Sequence, residues 1–177
     1  MTIVIAILIL PPYCQAMSGE SPDFEPRDVP PQAKIAIVAA RFNASLVEKL
    51  LAGCLDRLKE LGLDDHRVRV HRVPGAFELP LAAKALAQTK QYAAVICLGA
   101  VVRGQTAHFE YVAGECARGI AQVSLETKLP IIFGVLTTDT VEQAMDRLGG
   151  AHGHAGIRAA EAALEMIVLL DQIQPIR

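Results

Sequence analysis

The chain has 177 residues, 52% of them hydrophobic and 20% charged, with 13 Gly and 10 Pro. That is enough apolar surface for one packed domain, and it excludes a disordered, collagen-like or low-complexity chain. The 17 Lys and Arg against 19 Asp and Glu give a net charge of −2, with no basic surplus to neutralise phosphates, so nucleic acid is not an expected partner. A mean hydropathy of +0.33 is high for a soluble monomer and points to apolar surface covered by other subunits or by a membrane.

The membrane candidate is the apolar run Thr2–Leu10, which Pro11 and Pro12 cut short at about half the length of a bilayer-spanning helix. Ala16 offers a signal-peptide cleavage point, but no Lys or Arg precedes the apolar core. The reading preferred on these grounds is an upstream start codon, with no membrane span and a cytoplasmic protein. Met17 then opens a loose polar arm, Ser18–Gln32, that carries Pro22, Pro26, Pro30 and Pro31. Residues 1–32 are thus expected as an N-terminal segment and arm, and 33–177 as the domain. Cys14, Cys54, Cys97 and Cys116 have no short metal-type spacing, so reduced thiols are expected, with no disulfide and no zinc site.

From Ala33 onward strands and helices alternate. Ile35–Ala40 is a short apolar run without alternation, as in a strand buried on both faces. Asn43 is placed to cap a helix whose apolar residues Val47, Leu50, Leu51, Cys54, Leu55, Leu58 and Leu61 recur at helical spacing, with Gly62 as the stop. Val68–Val73 reads as a second strand, and Pro74-Gly75 turns the chain into an Ala-rich helix over about Leu79–Gln88. Ala93–Leu98 is a third strand, followed by a helix over about Thr106–Thr127. Ile131–Leu136 is a fourth strand. Asp139 is placed to cap a short helix bearing Val141, Met145 and Leu148, and a last helix carries Ile157, Ala160, Leu164, Ile167 and Val168.

Repeated βα units with right-handed crossovers predict a four-stranded parallel sheet between two helical layers, a three-layer α/β/α sandwich. Ligands gather at the carboxyl ends of the strands in such sheets. Those ends deliver Arg41-Phe42-Asn43, then Pro74 to Glu78, then Gly99 to His108, and Gly134 to Thr138.

Gly99-x-x-x-x-Gly104 resembles a phosphate-binding P-loop, but Gln105 and Thr106 follow where Lys and Ser/Thr belong. A nucleotide is therefore not expected. A glycine turn into a helix still exposes backbone N–H groups where the dipole favours an anion, so a single phosphate fits there, as does an unliganded turn. His108 falls in the first turn of that helix, whose positive end favours the neutral imidazole that a general base requires. Phe42 and Phe77 lie where a flat ring can stack on a planar ligand or simply pack in the core. Glu78 suits hydrogen bonds from hydroxyls or a solvated helix start. Arg147, near the end of its short helix, suits either the helix dipole or a phosphate. His152-Gly153-His154 has no flanking Cys, Asp or His close enough to complete a metal site and reads as a glycine-rich loop.

Taken in order, Arg41-Phe42-Asn43, Val73–Pro80, Leu98–Val112 and Phe133–Thr137 resemble the lumazine synthase family at matching intervals, over about Lys34–Leu170. The resemblance implies a flavodoxin-like fold and the penultimate step of riboflavin synthesis. There 5-amino-6-ribitylaminouracil condenses with 3,4-dihydroxy-2-butanone 4-phosphate to give 6,7-dimethyl-8-ribityllumazine, without metal or organic cofactor. It implies that Phe42 stacks on the pyrimidine while Ala76, Phe77 and Glu78 hold the ring edge and ribityl chain. Ala100, Val101 and Val102 line the pocket, Gln105, Thr106 and Arg147 cradle the phosphate, and Phe133 closes the pocket of a neighbouring subunit. His108 is the proton carrier. The resemblance further implies a homo-oligomer, either a pentamer or a 60-subunit icosahedral shell, with riboflavin synthase as a partner. The short Arg147–Gly156 segment resembles shell-forming members, whereas the prolines of the arm argue against a strand added to a neighbour's sheet.

Two positions depart from the family's usual Asn-Lys-Gly-x-Asp/Glu. The lysine is Ala155 and the carboxylate is Arg158, in His154-Ala155-Gly156-Ile157-Arg158. If that position faces the proton carrier, an acid replaced by a cation predicts proton transfer that is impaired or shifted to lower pH. Alternatively, Arg158 replaces the lysine at the anion. A noncatalytic shell or a flavin- or pterin-binding relative is the alternative function that these departures favour.

Overall fold

A computed structural model describes residues 29–173. The sequence expectations for the Thr2–Leu10 run, for Cys14 and for most of the arm lie outside these residues. Strand β1 (Ile35–Ala40) leads through helix α1 (Ala44–Glu60) to β2 (Val68–Val73), and α2 (Leu79–Gln88) leads to β3 (Ala94–Val102). Helix α3 (His108–Thr127) leads to β4 (Ile131–Thr138), then α4 (Val141–Asp146), a hairpin of β5 (Leu148–Gly150) and β6 (Gly153–His154), and α5 (Ala155–Ile173).

The four long strands form one parallel sheet in the order β2-β1-β3-β4. All of β1 and nearly all of β3 are buried, which is why both read as unbroken apolar runs. Strand β2 lies at the edge and exposes Arg69 to Arg72. One face of the sheet, through Ile35, Ile37, Ala39 and Ile96, packs on Leu46, Leu50 and Leu58 of α1 and Ala160, Leu164 and Ile167 of α5. The other face, through Ala36, Val38 and Val95, packs on Leu79 and Ala83 of α2 and Cys116 and Ile120 of α3. The predicted three-layer sandwich is the observed fold. Cys54, Cys97 and Cys116 are free and buried in these two cores. Burial pushes the thiol of Cys54 up to about 12, that of Cys116 to about 11 and that of Cys97 upward as well, so all three stay inert thiols rather than nucleophiles.

Helices α1 and α5 approach so closely that a Cβ at Gly156 would run into the Leu50 carbonyl. Further along the same interface, Arg57 bonds Glu161 at 2.9 Å. Among the described residues no helix is long and apolar enough to cross a membrane.

The structure differs locally from the sequence reading. Strands β3 and β4 extend to Val102 and Thr138 because they pair with each other past the sheet centre, Gly99 against Val135 through Val102 against Thr138. Gly99 therefore lies within a strand rather than in a turn, and α3 starts at His108 rather than Thr106. Thr140, not Asp139, caps α4, its hydroxyl accepting from the Gln143 amide at 3.2 Å. Leu148 belongs to the β5–β6 hairpin rather than to a helix. Asn43 occupies the N-cap position of α1 without capping it by its side chain.

Candidate active site

The connections after β1 and β2 and the end of β3 converge where the sheet order reverses, between β1 and β3. In open α/β sheets a crevice forms at that switch point, because neighbouring connections leave toward opposite faces. Here the crevice is a cleft of about 660 Å³. Phe42 and Asn43 line it from the end of β1, Pro74 to Glu78 from the end of β2, and Ala100 to Val102 from β3. Gly104, Thr106, His108, Phe109, Tyr111 and Val112 complete the wall around the start of α3.

Each segment is held by identifiable bonds. Phe42 N donates to the Pro74 carbonyl at 3.0 Å, and Arg41 N to the Val73 carbonyl at 2.8 Å, which fastens the first two loops together. Asn43 adopts a left-handed conformation, φ 56°, and its Nδ2 donates to the Ala100 carbonyl at 2.9 Å. Glu78 is half-buried and folds back so that one carboxylate oxygen accepts from Gly75 N at 2.9 Å. That bond closes the short 3₁₀ turn Ala76–Glu78 into a box at the head of α2.

The aromatic rings stand out of the core. Phe42 is 70% and Phe77 56% exposed, so the core-packing alternative fails for both. Large exposed rings in a concave, mostly apolar site are surfaces for a ligand. His108 opens α3 on the cleft rim, with its amide 3.4 Å from the Thr106 hydroxyl. Of the residues singled out from sequence, Phe42, Ala76, Phe77, Glu78, Ala100, Val101, Val102, Thr106 and His108 share this one cleft.

Three do not. Gln105 is exposed in the connection before α3 and does not line the cleft. Phe133, 43% exposed on β4, lines a separate groove with Arg103, Phe109, Thr137, Asp139 and Gln143. Arg147 follows α4 and donates Nη1 to the Gln143 carbonyl at 2.8 Å. Among the described residues, no group of three or more His, Cys, Asp or Glu could hold a metal ion.

A family model for 6,7-dimethyl-8-ribityllumazine synthase matches residues 32–171, most of the chain. The chain belongs to that family. It is accordingly a transferase of riboflavin biosynthesis acting on small-molecule substrates.

The two departures from the family pattern, Ala155 and Arg158, lie in the first turn of α5, just after the β5–β6 hairpin. The His152 ring pairs with Asp146, whose carboxylate that contact holds below the usual range. The His154 ring turns the other way: its Nδ1 accepts from Gly156 N at 3.1 Å and caps α5. The two histidines thus serve different partners rather than one metal. Arg158 donates Nη1 to the His152 carbonyl at 2.8 Å. Burial and the Arg158 charge together lower the pKa of His154. Sequence reasoning missed Asn43 as a strut across the strand ends, Phe109 and Tyr111 in the cleft wall, and Arg103 in the neighbouring groove. The motif block Leu98–Val112 contained the last three, but nothing local marked which side each would face.

Proposed function

We propose that the cleft is where the lumazine-forming condensation takes place. The observation that carries this reading is the convergence of Phe42, Phe77, Thr106 and His108, from three separate connections, on one cleft. The flat pyrimidine lies against Phe42. The Ala76 to Glu78 turn meets the ring edge and the ribityl hydroxyls, and Ala100, Val101 and Val102 form the floor. Thr106 holds the phosphate of the butanone beside the start of α3, where a helix dipole favours an anion, and Gln105, outside the cleft wall, reaches it only by turning its exposed side chain inward.

The amine of the pyrimidine attacks the ketone carbon with loss of one water, inorganic phosphate is eliminated, and the second nitrogen closes the ring on the remaining carbonyl carbon with loss of a second water. Each stage moves a proton and none needs a redox change, so one acid–base group with good positioning suffices. His108 is that group.

Phe133 and Arg147 act across a subunit boundary. Each stands away from the chain's own cleft. In a ring of subunits Phe133 closes the neighbour's cleft and Arg147 reaches its phosphate. The assembly is a pentamer or a 60-subunit shell in the cytoplasm, with riboflavin synthase as its partner.

Mixed assemblies test the shared site. Inactive Phe133→Ala and His108→Ala chains, denatured and refolded together, regain part of the wild-type activity if sites combine residues from two copies. Activity that stays at the level of the separate variants contradicts a shared site.

A further inference from the structure

The segment 103–107, between the end of β3 and the start of α3, is exposed throughout. It nevertheless carries Gly104 and Thr106 into the cleft wall and sets where His108 begins α3. Such a connection needs an external anchor to hold a reacting group in register, and Arg103 supplies one. Its Nε bonds Asp139 at 2.5 Å, at the end of β4, and its Nη1 pairs with Glu110 in the first turn of α3. The guanidinium carbon lies 4.1 Å from the centroid of Phe109, a ring that lines the cleft. Asp139 is itself held, its amide donating to Gln143 Oε1 at 2.9 Å.

We propose that Arg103 is a positioning residue for the condensation, clamping Asp139, Glu110 and the Phe109 ring so that Thr106 and His108 keep their places on the cleft rim. This rests on the assignment of Thr106 to the phosphate and of His108 to proton transfer. The guanidinium suits the task because it is flat enough to stack on a ring while its fork of donors reaches two carboxylates in different directions. A lysine ammonium can satisfy one carboxylate but cannot stack in the same way.

The clamp acts on one half of the site. The pyrimidine contacts come from Phe42, Ala76 to Glu78 and β3, whereas the Arg103 side chain bonds Asp139, Glu110 and the Phe109 ring. Loosening the clamp therefore affects the phosphate substrate and the proton carrier and spares the pyrimidine. The three charged groups lie at the surface, where ion pairs add little to folding. The Arg103 amide bond to the Thr138 carbonyl, 2.9 Å, survives any side-chain change.

Steady-state kinetics with both substrates varied test this on the full chain, with Arg103→Met, Arg103→Lys, Asp139→Asn and His108→Ala. For Arg103→Met, kcat falls about tenfold and KM for the butanone phosphate rises about tenfold, because a small misplacement of reacting groups is amplified in rate. KM for the ribityl pyrimidine stays within about twofold and the thermal midpoint is unchanged. Arg103→Lys and Asp139→Asn fall between Arg103→Met and wild type. Wild-type kinetics in Arg103→Met, beside an impaired His108→Ala, overturn the positioning role and leave the site reading intact. Equal rises in both KM values with a lowered midpoint also overturn it, as the mark of a general structural role. Wild-type turnover in His108→Ala removes the site reading and the positioning role together.

Discussion

The Asn43 side chain donates to the carbonyl oxygen of Ala100, 57 positions further along the chain, at 2.9 Å. This bond ties the end of β1 to β3 at the point where the sheet order reverses, directly under the cleft. Asn43 also holds φ 56°, a conformation that Asn and Gly tolerate better than other residues. Asn43→Gly loses only the hydrogen bond, for about 1 kcal/mol. Asn43→Ala adds a left-handed alanine, for roughly 1–2 kcal/mol more. Denaturant unfolding should rank wild type above Gly and Gly above Ala.

The exposed rings of the cleft predict a separation of binding from stability. With Phe42 70% and Phe77 56% exposed, truncation to alanine removes little core packing and should move the unfolding free energy by no more than about 0.5 kcal/mol. Aromatic stacking on a heterocycle is worth about 1–3 kcal/mol, so pyrimidine binding in either variant should weaken roughly tenfold, as read by titration calorimetry.

Helix α5 begins on an imidazole. His154 Nδ1 accepts from Gly156 N, which requires that nitrogen to be unprotonated. The folded-state pKa is lowered by burial first and by Arg158 second. A histidine depressed on folding contributes stability that is complete above its unfolded pKa, about 6.5, and is lost as pH falls toward the folded value. Unfolding midpoints should therefore begin to drop as pH falls below about 7. His154→Asn, whose amide oxygen caps without titrating, should flatten that part of the curve.

The contact between α1 and α5 predicts intolerance at one glycine. A Cβ at Gly156 meets the Leu50 carbonyl, which is helix backbone and cannot swing aside. Gly156→Ala should cost about 2–4 kcal/mol by forcing two packed helices apart. Circular dichroism during denaturation reads this directly.

Arg158 and Ala155 predict an altered pH dependence of turnover. If a carboxylate at 158 supports the proton carrier, Arg158→Glu raises the acid limb of the kcat profile. Ala155→Lys lowers KM for the butanone phosphate by adding a cation for its anionic group. Unchanged profiles and constants in both variants contradict a role for this segment at the reacting centre.

The layers of the fold were legible because burial on both faces leaves β1 and β3 as unbroken apolar runs, and because α1 repeats its leucines at helical spacing. The ends of elements were less legible. Gly99 reads as a turn, but the pairing of β3 with β4 carries it through as strand. Leu148 continues the spacing of Val141 and Met145, yet the pairing of β5 with β6 takes it into a hairpin. The lining of the cleft followed from where strands end, since a residue one or two positions past a carboxyl end has little choice of direction. The Arg103 clamp carried no such signal. Its partners stand 36, 7 and 6 positions away, and only the folded chain brings them round one guanidinium.

In the proposed reaction this cleft makes lumazine and His108 moves the protons. The most direct test is absorbance of the purified protein with both substrates, following the appearance of 6,7-dimethyl-8-ribityllumazine, beside His108→Ala. Steady product formation by the wild type is expected, with a loss of about hundredfold in the variant, the range of general acid–base catalysis. No product from the wild type despite measurable binding of the ribityl pyrimidine, or equal rates in the two proteins, would contradict it.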